Sequence, residues 1–230
     1  VRGVPAYIHT NIPSLDGKGL GDGWASENCL KYITLNDIKG AGNQMRNIKL
    51  TIEYNGTDYH GWQSQKNSIA IQDVMIDAIR QITGEEVALI GASRTDKGVH
   101  ALGQVANFKT DCKIPVEKIP LALNCALPPD IVIKDAEEVA EDFHAQYSCK
   151  GKQYSYTILT SAYRSAIMKD FVYHYPYKLD FGAMQSAARY LPGKQDFSAF
   201  RAAGSPIKSS VRTITGAELS REGDKIIFSI

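Results

Sequence analysis

Residues Arg46–Tyr54 alternate strictly. Ile48, Leu50, Ile52 and Tyr54 fall on one face, and Asn47, Lys49, Thr51 and Glu53 on the other. Such alternation predicts a half-buried strand. The run Asn55-Gly56-Thr57-Asp58 predicts a turn, with loop continuing through Tyr59-His60-Gly61-Trp62-Gln63. From Ile71 the apolar set Ile71, Val74, Met75, Ala78, Ile79 and Ile82 has helical spacing, and Gly84 follows as a helix-ending residue. Residues 86–92 predict a strand leading into a polar loop, from which residues 103–109 emerge as its partner. Pro115 suits the start of a second helix, with Ile119, Leu121, Ala122, Cys125 and Ala126 as its apolar face and Pro128-Pro129 as its stop. Residues 130–139 predict a fourth strand.

That order, β-α-β-β-α-β, is the ferredoxin-like split βαβ unit. It then begins again. Residues 152–160 predict a strand with Tyr154, Tyr156 and Ile158 on one face, and residues 179–191 a helix stopped by Pro192-Gly193. Residues 211–220 and 225–230 predict two more strands. The fold expectation is therefore α+β, with two tandem ferredoxin-like units sharing a sheet around a central cleft. They span residues 45–148 and 149–230. The second unit lacks a final helix and strand, so the pattern predicts truncation at Ile230, with an unpaired sheet edge. Residues 1–44 are polar and Gly-rich without sustained period. They are expected to be an irregular tail foreign to the domain, with Met45 as the native start.

Composition narrows the classes. Of 230 residues, 43% are hydrophobic and 22% charged, ordinary for a globular protein. The formal charge of +1 makes no global case for nucleic acid, so any such binding needs a local patch. No apolar run approaches the roughly 18 residues of a membrane span, and no signal-peptide pattern opens the chain. Cys29, Cys112, Cys125 and Cys149 are widely spread with no CxxC, which argues against a zinc site or disulfide frame. The expectation is a cytoplasmic protein with no membrane span and no zinc site.

The chemistry concentrates in residues 90–101, IGASRTDKGVHA. A strand delivers the chain into a loop where Gly91, Ser93 and Gly98 frame Arg94, Thr95, Asp96, Lys97 and His100. Small residues permit close approach of backbone or substrate. Arg94 and Asp96 offer an anion-binding group and a nucleophile or base. The competing reading is a tight turn in which Asp96 caps nearby N–H groups.

GASRTDKGVHALGQV resembles the signature loop of the TruA-type tRNA pseudouridine synthases, and other segments agree in order. YNGTDYHGWQSQ resembles the first motif of that family, and LNCALPPDIVI, followed by FHA, its helix-to-strand segment. KQYSY matches a K-x-Y-x-Y element, while KQDFSAFRAAGS and then VRTI resemble second-half motifs. The resemblance covers residues 45–230. It implies isomerisation of uridine to pseudouridine at positions 38, 39 and 40 of the tRNA anticodon stem-loop, by homodimers, without cofactor or metal. It puts the catalytic aspartate on Asp96, substrate binding on Arg94, and a uracil-stacking tyrosine on Tyr154. The two half-domains are then expected to bring Asp96 and Tyr154 together. Tyr54, Trp62 and His100 are expected to pack or orient, and His60 and His144 lack metal-ligand spacing. Lys150, Lys152, Arg201, Lys208 and Arg212 offer a phosphate-binding surface.

Departures from the family pattern are Ser93 where Gly is frequent, Lys97 where Ala is frequent, and Gln146 where an Arg usually follows FHA. The family also places an Arg that pairs with the catalytic aspartate beyond the point corresponding to Ile230. Its lack implies poor binding or inactivity for the chain as it stands. Two rivals remain: a non-catalytic ferredoxin-like RNA-binding module, and a hydrolase with Asp96 as nucleophile. The first lacks the RNP aromatic pattern, and the second lacks an acidic metal-binding cluster near Asp96.

Overall fold

The computed structural model describes residues 6–11, 45–200 and 209–230. The fold is mixed α+β and divides into two compact units, Tyr7–Lys152 and Gln153–Ile230.

The first unit is built on strand β2 (Arg46–Tyr54). It lies between β4 (His100–Thr110) and β5 (Ile131–Val139), antiparallel to both. The short strand β3 (Ile90–Gly91) adds antiparallel to β4. Ala6–Asn11, inside the segment expected to be irregular, forms strand β1, parallel to β4 around His100–Gly103. For those six residues the expectation of an irregular tail does not hold.

Two helices cover the apolar face of this sheet. Helix α1 (Ile71–Thr83) buries Ile71, Met75, Ala78 and Ile79, the stripe its spacing predicts. It ends where Gly84, at φ 76°, donates its N–H to the Arg80 carbonyl, a left-handed cap that glycine adopts without strain. Helix α2 (Ile119–Ala126) follows a 3-10 turn at Val116–Lys118. Its buried face is Ile119, Ala122 and Leu123, while Leu121, expected inside, is exposed. The i, i+3, i+4 spacing turns one stripe inward, and Leu121 lies off it. Ile48, Leu50, Ile52, Phe108, Ile114 and Trp62 complete the core, all essentially without solvent contact.

Contrary to the half-buried expectation, the polar face of β2 is covered too. Asn47 and Lys49 are buried. The Asn47 amide donates to the carbonyls of Ala140 (3.0 Å) and Phe143 (2.9 Å) and accepts from Asn107 (2.9 Å). Asn107 in turn accepts the Ala145 N–H at 2.8 Å. Residues 140–145 are thus laid across the sheet by side-chain amides that would be costly to bury unpaired. Lys49 pairs with Glu137. Burial lowers its pKa, opposed in part by Asp135.

Two predicted strands differ. Residues 86–92 form strand only at Ile90–Gly91, in register with Asn107 and Ala106 of β4, with Ala92 adding one bond to the Val105 carbonyl at 2.8 Å. Residues 211–220 are two strands, broken at residues 215–217.

In the second unit, β6 (Gly151–Leu159) pairs antiparallel with β11 (Lys225–Ser229), and β11 with β10 (Glu218–Glu222). Strand β7 (Tyr173–His174) adds parallel to β6. Helix α3 (Phe181–Ala188), shorter than the predicted 179–191, is capped by the Asp180 carboxylate, which accepts the Ala183 N–H. It closes a small core of Ala188, Leu219 and Ile226. Strands β8 (Gly193–Asp196) and β9 (Val211–Ile214) form a separate hairpin.

Among the described residues Cys112, Cys125 and Cys149 form no disulfide; Cys29 lies outside the described residues. Among the described residues no helix is long and apolar enough to cross a membrane.

Candidate active site

The polar loop at residues 92–99 is held by the loop at residues 54–62, some forty positions earlier in the chain. Trp62 donates its backbone N–H to the Thr95 carbonyl at 3.0 Å, and the Tyr54 and Thr95 hydroxyls lie 2.8 Å apart. Gly98, at φ 78°, donates to the Tyr59 carbonyl at 3.3 Å, and Val99 closes a turn onto the Asp96 carbonyl at 3.1 Å. Gly56 donates its N–H to His100 Nδ1 at 3.2 Å, which leaves the ring proton on Nε2. On the other side, Gln104 donates to the Ser93 carbonyl at 2.7 Å, and Ala92 packs with Val105 and Ala145.

The glycines are what let these segments approach. A Cβ on Gly61, whose φ is 89°, would lie 2.3 Å from the Thr95 carbonyl oxygen. One on Gly91 would lie 2.5 Å from the Trp62 indole. Trp62 is 1% exposed and Tyr54 3%, their rings 6.3 Å apart, so both pack as expected. Tyr59 hydrogen-bonds to Asp130 at 2.8 Å, and burial followed by that bond pushes its phenol well above the usual range.

Within this clasp, burial alternates. Ser93 and Thr95 are buried, while Arg94, Asp96 and Lys97 are exposed. The inward residues fix the backbone and the outward ones face solvent from a rigid support, the condition under which a side chain is pre-organised rather than merely present. Among the described residues neither the Arg94 guanidinium nor the Asp96 carboxylate has a hydrogen-bond or ion-pair partner. The turn at Asp96 closes through its backbone carbonyl, so the carboxylate is not used as a cap. Lys97 Nζ lies 3.0 Å from His60 Nε2.

Tyr154 belongs to the second unit. Its backbone exchanges both hydrogen bonds with Ile230, at 2.7 and 2.9 Å, and its ring is 40% exposed. Ile158, on the same strand face, packs into the small core, so Tyr154 stands at the open end of that face. Tyr156 lies between. Burial, with Tyr173 adding, raises its phenol pKa. Lys150, Lys152 and Arg212 are exposed, and Arg201 and Lys208 lie outside the described residues. His144 stacks on Tyr147 at 4.2 Å. Among the described residues no group of three or more His, Cys, Asp or Glu side chains is placed to hold a metal ion.

Sequence reasoning singled out Arg94 and Asp96 and named Gly91 and Ser93 as small residues that permit close approach, but missed Thr95 as an anchor and Gly61 as a contact point. The available signal was the alternation of small or hydroxylated residues with charged ones through Ser93-Arg94-Thr95-Asp96.

A sequence profile described as tRNA pseudouridine synthase matches residues 50–148, which include the clasp and its loop. The chain is 58% identical over 183 residues to the tRNA pseudouridine synthase A of Acetivibrio thermocellus, covering 80% of this chain and 75% of that protein. It is 55% identical over 186 residues to the protein of the same name from Caldicellulosiruptor saccharolyticus, and 51% to that of Thermoanaerobacter sp. strain X514, each covering 81% of this chain and 76% of the relative. With identity at this level across both units, the chain belongs to the tRNA pseudouridine synthase family.

Proposed function

We propose that the protein isomerises uridine to pseudouridine at positions 38, 39 and 40 of the tRNA anticodon stem-loop, with Asp96 as catalytic nucleophile and Arg94 and Tyr154 binding substrate. The observation that carries this reading is the exposed Asp96 carboxylate, without a partner among the described residues, on a loop whose neighbours are pinned. Support also comes from membership of an isomerase family.

The reaction breaks the bond from N1 to the ribose, turns the uracil and joins C5 to the ribose. The C5 proton is released and N1 gains one. Nothing is oxidised or reduced, so a nucleophile that attacks and later leaves suffices. Attack on the base and attack on the sugar both satisfy this balance. Extruding the base costs a few kcal/mol of unstacking. Stacking on Tyr154 offsets it by about 1–3 kcal/mol, and Arg94 holds a phosphate or fills the space the base vacates. The enzyme works in the cytoplasm as a homodimer, without metal or cofactor. The order β3-β4-β2-β5, antiparallel throughout, supports reading the first unit as ferredoxin-like, with the second as its tandem repeat.

Tritium release from tRNA carrying 5-tritiated uridine tests the proposal. The full-length protein is expected to release tritium, to release none from transcripts with cytidine at positions 38, 39 and 40, and to lose release on Asp96→Ala. Equal release by the variant would overturn the assignment of Asp96 and favour a non-catalytic role for the loop. Release from the cytidine transcripts would overturn the target positions.

A further inference from the structure

Within the first unit several cations have carboxylate partners, while Lys66, Lys113, Lys150 and Lys152 have none among the described residues. Arg46 pairs with Glu138, Lys49 with Glu137, Arg80 with Asp77 and Glu86, Lys109 with Glu141, and Lys134 with Glu53. On the clasped loop, Arg94 and Lys97 have no carboxylate partner among the described residues. Lys97 instead meets a histidine: its Nζ is 3.0 Å from His60 Nε2. An ammonium has only donors, so His60 accepts here and carries its proton on Nδ1. The His60 backbone is held, since its N–H donates to the Ile69 carbonyl at 2.9 Å and its neighbours Gly61 and Trp62 abut Thr95, while its ring is exposed. The bond therefore ties the outward side of the loop to the segment that clasps its inward side.

A free lysine side chain loses rotamer freedom when it is held by a ligand. A lysine whose ammonium already donates to a histidine nitrogen loses less and retains two donors. That arrangement suits a singly charged, oxygen-rich ligand. A carboxylate tether would have neutralised it.

We propose that Lys97, positioned by His60, is a further substrate-binding residue that contacts a backbone phosphate of the RNA beside the nucleotide presented to Asp96. This rests on the proposed function, since it takes RNA as the ligand.

The test measures binding of an unmodified tRNA transcript to the full-length protein across a salt series. One phosphate contact contributes about 0.7–0.9 to the slope of log affinity against log salt. Lys97→Ala is expected to lower the slope by about that amount and to weaken binding about threefold to tenfold near 0.1 M salt. Because His60 acts through Lys97, His60→Ala is expected to weaken binding in the wild-type background and to change nothing in the Lys97→Ala background. His60→Gln, which keeps an acceptor, is expected to restore most of the affinity. An unchanged slope in Lys97→Ala, with melting temperature intact, overturns the proposal. So does a His60→Ala effect of equal size in both backgrounds. Wild-type tritium release alongside an unchanged slope would sink this contact alone, whereas absent wild-type release would sink the reading beneath it.

Discussion

The first unit holds its candidate loop from both sides, whereas the second presents exposed aromatic side chains. Around Asp96, the backbone is fixed through Thr95, Gly98 and Val99 before any ligand arrives. In the second unit Tyr154, Tyr173 and Tyr177 are all substantially exposed, and Tyr173, Tyr175 and Tyr177 follow one another with ring centroids 6.3 and 5.2 Å apart. The difference fits the division of labour in the proposed function. Chemistry that needs a carboxylate at a set position rests on a buried scaffold, while stacking on a base tolerates any residue that offers a ring face.

Substitutions should separate these two regimes. The largest effect is expected from Trp62→Ala, which empties the site against which Gly91 and Tyr54 pack. A loss of about 3–5 kcal/mol in unfolding free energy follows from burial of this size, measurable by urea denaturation, and turnover should fall with it. Thr95→Val is next. It leaves the buried Tyr54 hydroxyl without the Thr95 contact and should cost about 1–3 kcal/mol. Because a shift of about 1 Å in a catalytic group can cost up to about 10²-fold in rate, a fall in tritium release approaching that size is expected. Tyr154→Ala should behave in the opposite way. Stability should stay within about 0.5 kcal/mol, as at other surface positions, while tRNA affinity falls by the roughly 1–3 kcal/mol of a lost stack. A large stability loss for Tyr154→Ala would break the comparison.

The smallest effect concerns the β8–β9 hairpin. The Ser210 hydroxyl and then the Ser198 N–H hold the Asp196 carboxyl below its usual range. A depressed carboxylate pKa contributes stability that is fully present above the unfolded value, near 3.8, and is lost as pH falls through the folded value. Amide exchange at Ser198 and Val211 should therefore quicken below pH 4, relative to Asp196→Asn.

The elements of the first unit were open to sequence reading because each carries its own period. β2 alternates by two, and α1 repeats its apolar stripe and stops at Gly84. What escaped was decided by partners distant in the chain. Asn47 and Lys49 look like a solvent face until residues 137–145 come across them. The strand predicted at residues 86–92 shrinks to Ile90–Gly91, the two residues in register with Asn107 and Ala106 of β4. The strand predicted at residues 211–220 divides because Val211–Ile214 pairs with β8 and Glu218–Glu222 with β11. At the site, Arg94 and Asp96 were readable as chemistry. The clasp was not, since the closeness of Gly61 to Thr95 is a property of two loops, and no single stretch encodes it.

The central claim is that Asp96 supplies chemistry while its neighbours supply stability. Asp96→Asn preserves shape and removes only charge at a side chain with no partner among the described residues. Single-turnover tritium release by this variant, with its melting temperature read on the same preparation, tests the claim most directly. The account predicts a fall of at least about 10³-fold, the scale seen when a nucleophile is removed, with melting unchanged to within about a degree. Release near the wild-type rate, or a fall in release that merely follows a fall in melting temperature, would contradict it.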